Sequence, residues 1–134
     1  MREKTDANME AAYFLIAQAD GAHCNASIHC SYYASLQYMK YLLHNLKRDA
    51  IKYPLQNKNN AGSHDFIYGE ILNRFVGNPQ DVKKYKEYFN SLRKFRQKAD
   101  YTLETFSPEE CFKCYNMAQG LINVLLKTFK DKIA

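Results

Sequence analysis

Apolar residues along this chain recur at helical rather than alternating spacing, and five segments carry the pattern. Over residues of about 3 to 20, Met9, Ala12, Tyr13 and Ile16 repeat every three or four positions between acidic and amide residues. That spacing predicts an amphipathic helix, with Gly21 after Asp20 as its C-terminal stop. A second helix is predicted from Asn25 or Ser27 to about Asn45. Its stripe of Ile28, Tyr32, Leu36, Met39, Leu43 and Leu46 is widened by Tyr33, Ala34, Tyr38 and Tyr41. A helix apolar on most faces is expected at the centre of a fold.

The run from Tyr53 to Gly62 holds a Pro, a Gly and several amides, and predicts an exposed, mobile loop. Ser63 is then suited to cap a third helix of about 64 to 76, with Phe66, Ile67, Ile71 and Phe75 inward and Gly77 as its stop. Asn78-Pro79 signals the start of a fourth helix reaching about Tyr101, striped by Val82, Tyr85, Phe89, Leu92, Arg96 and Ala99. Ser107-Pro108-Glu109-Glu110 has the hydroxyl, proline and glutamate of a capping box, opening a fifth helix to about Lys130. Cys111, Tyr115, Ala118, Ile122, Leu125 and Phe129 share its inner face. With no period-two run and no internal repeat, the expected fold is all-α: one domain over residues 1–134, a compact antiparallel bundle of about five helices.

Composition sharpens this picture. A chain of 134 residues suits one core, and 46% hydrophobic with 25% charged residues is ordinary for a globular domain. Eleven Tyr and 8 Phe against 5 Gly and 3 Pro favour long helices packed on bulky side chains. The formal charge of +5 would draw the chain toward polyanions. Its Lys and Arg are spread over 47–58, 83–98 and 127–132, however, as solvated helix faces also require. No apolar run is long enough for a membrane span, and the first residues lack the pattern of a secretory leader. A cytoplasmic protein with no membrane association is expected, so Cys24, Cys30, Cys111 and Cys114 are expected to be thiols.

Three groups of residues invite chemistry. Arg96 falls on an apolar stripe with Asp100 four positions on, where it needs a carboxylate, a hydroxyl or a ligand phosphate. The pair serves either as a brace fixing helix register or as a preorganised anion site. Tyr32 and Tyr33 read as core, one phenol reaching a polar partner such as Arg96 or Asp100. Alternatively the tyrosines stack bases while Lys40, Lys47, Arg48, Lys94 and Lys98 hold phosphates. Cys111 and Cys114 have zinc-like spacing, with Cys24, Cys30, His23 and His29 as conceivable partners. One helical turn apart on an inner face, they read better as small buried hydrophobes, so no metal and no cofactor is expected.

The segment from Leu92-Arg93 through Arg96, Ala99, Asp100 and Tyr101 resembles the "R…ADY" helix ending of one branch of the HEPN superfamily. Ser31-Tyr32-Tyr33-Ala34 resembles the "YYA" segment of the central helix there, and Ser63-His64 resembles the histidine start of a short third helix. The three matches stand in the right order and span nearly the whole chain. The resemblance implies a small, commonly dimeric helical bundle that associates with a nucleotide or RNA. It also implies a minimal nucleotidyltransferase as partner, in a toxin-antitoxin or defence type system. The implied ligand-binding residues are Tyr33, His64, Arg93, Arg96, Asp100 and Tyr101. The RNase branch of the superfamily carries a His shortly after its Arg, and no His stands five to seven positions after Arg2, Arg48, Arg74, Arg93 or Arg96. A binding role is therefore expected over catalysis. A metal-independent RNase using a displaced His, such as His64, and a purely structural dimerisation module are the alternatives.

Overall fold

The computed structural model describes residues 1–18, 21–57 and 62–134. Its helices are α1 (Arg2–Ala17), α2 (Gly21–Asn45), α3 (Tyr53–Gln56), α4 (Ser63–Asn73), α5 (Pro79–Tyr101) and α6 (Pro108–Phe129). Among the described residues there is no strand, only an isolated antiparallel bridge between Leu46 and Ile133. The all-α bundle expected from periodicity is thus present, with five long helices and the single turn α3.

Helix α2 is the central one, packed against α1, α4, α5 and α6. Ile28, Ala34, Leu36, Tyr38, Met39, Leu42 and Leu43 are fully buried along it, so apolar residues on most of its faces find partners. Tyr85, Phe89 and Leu92 of α5 and Cys111, Cys114, Ala118, Leu121, Leu125 and Phe129 of α6 close the core. The abundance of aromatics is explained by a ring-to-ring chain. Tyr68 of α4 stacks on Phe89 at 4.6 Å and on Tyr85 at 5.2 Å, and Phe75 meets Tyr85 at 5.1 Å and Phe129 at 5.5 Å. Such contacts add to the area each ring buries. Tyr32 meets Phe89 at 5.8 Å and links this chain to the middle of α2.

Two caps form as the sequence implies. Asn78 Oδ1 accepts from the Gln80 amide at 2.9 Å, and Ser107 and Glu110 make a reciprocal capping box. Elsewhere the termini differ from expectation. Gly21 does not stop α1, whose described end is Ala17; it is the first residue of α2, and positions 19 and 20 lie outside the described residues. Ser27 is no cap: its buried hydroxyl donates to the Ala12 carbonyl at 3.1 Å, pinning α1 to α2. Ser63 is the first residue of α4 rather than its cap, and Gly62 precedes it without a side-chain cap bond.

Helix α4 also ends at Asn73, short of Gly77. Its next two residues are captured by tertiary contacts, Arg74 by the Asp49 carbonyl (2.8 Å from Nη2) and Phe75 by the rings above. Gly77 then turns the chain at φ +124°, a backbone state that favours glycine. The predicted loop over 53–62 is helical in its first part. Tyr53 donates its amide to His44 Nδ1 at 3.0 Å and stacks on that imidazole at 3.7 Å. The buried Gln56 donates to the carbonyls of Lys40 and Ile51 at 2.9 and 2.8 Å. Side chains thus fold this segment against α2, while positions 58–61 of the predicted loop lie outside the described residues.

Candidate anion-binding groove on helices α2, α4 and α5

His29, Tyr32 and Tyr33 lie three and four positions apart on α2, one face of a helix. Facing them are His64 and Asp65 in the first turn of α4, and Arg93, Arg96, Asp100 and Tyr101 in the last turns of α5. The end of α5 is fastened by Asn25, which donates to the carbonyls of Ala99 at 3.4 Å and Glu104 at 3.2 Å.

Arg96 is the hub. Its Nη2 donates to the Tyr33 hydroxyl at 3.0 Å, and its Cζ lies 5.2 Å from the Tyr32 ring centre and 5.5 Å from those of Tyr33 and Tyr101. Nε stands 3.3 Å from Asp100 Oδ2, an ion pair with side chains 13% and 22% exposed. The N–H is not aligned on that oxygen, so the buried Nε has Coulomb attraction but no hydrogen bond. The Asp100 carboxylate is instead shared with His29, whose Nδ1 lies 3.0 and 3.2 Å from its two oxygens. The His29 ring lies 4.5 Å from that of Tyr33.

On the other side of Tyr33, the His64 ring meets it edge-on at 5.9 Å, and His64 Nδ1 is 2.8 Å from the Tyr32 hydroxyl. Burial, then the cations Arg96, Lys40 and Arg93, hold His64 below the ordinary imidazole value despite nearby Asp65, so it is neutral at pH 7. Burial pushes the Tyr32 phenol up to about 12 against the pull of Arg96 and Arg93, keeping it protonated. Arg93 forms an ion pair with Asp65, and that hydrogen bond holds the Asp65 carboxyl below its usual value.

All six residues named from sequence, Tyr33, His64, Arg93, Arg96, Asp100 and Tyr101, stand in this one cluster, Arg93 by way of its pair with Asp65. His29, Tyr32 and Asp65 join it. Tyr32 had read as core and is buried, its phenol meeting His64, and the one phenol expected to reach Arg96 is that of Tyr33. The signal for His29 was its position four residues before Tyr33 on the same face. Tyr101 is 74% exposed and offers an open ring at the rim.

The basic residues do not form one surface. Lys94 and Lys98 are exposed on α5 beside the groove, and Lys40 is half-buried, its ammonium lowered by burial and by Lys4. Lys47 and Arg48 lie past the far end of α2. The four cysteines are free thiols; Cys24, Cys111 and Cys114 are buried, and burial pushes Cys114 up to about 12. Among the described residues no three His, Cys, Asp or Glu converge to hold a metal ion, and no helix is long and apolar enough to cross a membrane. No family model, curated protein or solved structure matches the chain.

Proposed function

We propose that this chain is a HEPN-like domain that binds an anionic ligand, a nucleotide or a stretch of RNA, in the groove around Arg96. What supports the reading is the buried Arg96 Nε, a charged donor without a hydrogen bond between three aromatic rings. A buried donor left unmet costs free energy that a ligand oxygen taking the place of the Asp100 carboxylate would recover. Arg93 and Lys94 flank it, and the open face of Tyr101 suits a stacked base. The family resemblance extends the proposal to a homodimer with a minimal nucleotidyltransferase as partner, in a toxin-antitoxin or defence setting.

The test is anisotropy of labelled single-stranded RNA, with AMP as competitor, over a range of salt. Binding is expected to weaken with salt, and Arg96→Ala is expected to lose about tenfold or more in affinity, the scale of one charge-assisted contact. RNA binding unchanged in a folded Arg96→Ala protein would overturn the assignment of the groove. Sedimentation at micromolar concentration tests the dimer.

The two imidazoles that flank Tyr33 favour one second reading, a metal-independent ribonuclease. Neutral His64 is suited to take the proton of a ribose 2′-hydroxyl, and His29, held by Asp100, to protonate the departing 5′-oxygen. Cleavage of RNA in EDTA that His64→Ala and His29→Ala each abolish would establish it over simple binding.

A further inference from the structure

At the opposite ends of α2 and α4 from the groove lies a cleft of 510 Å³. With 11 residues in α4, its two ends stand about 16 Å apart at the usual helical rise. The cleft opens where the chain leaves α2, α4 and α6 together. Its walls are pinned by main-chain bonds from Lys47 to Lys132 and from Ala134 to Asn45, both 2.8 Å. Arg74 spans the gap, bonded to the Asp49 carbonyl through Nε and Nη2 and to Glu70 through Nη1 at 2.6 Å. Asp49 itself holds φ at 55°, a left-handed state that Asp tolerates better than most residues.

The lining is amphipathic. Val76, 74% exposed, is its apolar wall, and Leu46 and Phe129 lie buried beneath the lining. Around them stand Lys47, Arg48, Arg74 and Lys132, four cations against the carboxylates of Asp49 and Asp131. Arg74 is committed to Glu70, and Lys47 reaches the Asp131 carbonyl at 3.3 Å. Lys132 lies 5.5 Å over the Phe129 ring, and exposed Arg48 has no hydrogen-bond or ion-pair partner among the described residues.

We propose that this cleft is a second ligand site, for a small amphipathic phosphate whose anionic head meets Arg48 and Lys132 and whose apolar body lies against Val76. A fixed frame with cations at its mouth selects this chemistry, because the head keeps its charge at solvent while the body leaves water.

The experiment is a titration of the full chain followed by amide chemical shifts, with AMP, inorganic phosphate and adenosine as separate probes. AMP is expected to shift the amides of Arg48, Val76 and Lys132 saturably. Phosphate or adenosine alone should bind about tenfold or more weakly, and Arg48→Ala with Lys132→Ala should cost AMP about as much, one lost charge-assisted contact. Both positions are outside the core, so the variant keeps its fold. Shifts confined to Tyr33, His64 and Arg96 would overturn the second site and leave the groove standing. Equal affinity for AMP and phosphate, or no effect of the double substitution, would also overturn it.

Discussion

Replacing Arg96 by Met and Asp100 by Asn, singly and together, measures how far the groove is held by charge. At an effective dielectric of about 20, opposite charges 3.3 Å apart attract by about 5 kcal/mol. Both side chains are mostly covered, at 13% and 22% exposure, so each also lost solvation on folding. The misaligned Nε–H removes the hydrogen-bond part. Desolvation and residual screening reduce the net coupling to about 1–2 kcal/mol. The Arg96→Met single variant should lose about 2–3 kcal/mol, because the Tyr33 hydroxyl also loses a charged donor and three rings lose a cation. Asp100→Asn keeps an acceptor for His29 and should cost less. Urea unfolding of the four proteins at one pH closes the cycle. A coupling below about 0.5 kcal/mol, the additivity error of independent sites, would refute the ion-pair account and assign Arg96's role to the rings and Tyr33.

Three further outcomes follow from local geometry. Because His64 is held below its unfolded value of about 6.5, its contribution to stability is full above that pH and is lost as pH falls through the lower folded value; His64→Asn should remove this part of the acid slope in urea midpoints. Gly69→Ala, in mid-α4 with nothing within 4 Å of the added methyl, should stabilise by about 0.5–1 kcal/mol, whereas Gly77→Ala at φ +124° should destabilise by about 1 kcal/mol or more; a lower thermal midpoint for the first would contradict the helix argument, and an unchanged or higher one for the second the backbone argument. Ser107→Ala removes the cap of α6 and should cost about 1 kcal/mol, and no change in its unfolding midpoint would mean the first turn is held by Pro108 and packing alone.

Much of the groove was legible because its residues obey helix arithmetic. Arg96 and Asp100 share a face by spacing, and a charged residue on an apolar stripe announces that something must meet it. The partners across helices were another matter. That Tyr33 takes Arg96 while Tyr32 takes His64 depends on how α2 is rotated against α4 and α5, which no single helix specifies. By sequence His29 reads only as a conceivable metal ligand, because its partner Asp100 is 71 positions away.

The same division runs through the whole chain. Periodicity and capping residues were enough to locate α5 and α6 from Asn78 and Ser107, because an N-cap bond and an apolar stripe are satisfied within a few residues of each other. Where distant contacts compete with local signals, the tertiary structure decided. Phe75 and Arg74 leave α4 for rings on α5 and α6 and for the Asp49 carbonyl, and Tyr53 turns helical against His44. Gly21, an expected stop, begins α2. Local hydrogen bonding set which segments are helices; the burial of large aromatic side chains and the pairing of a few charges set where several of them end and what they bring together.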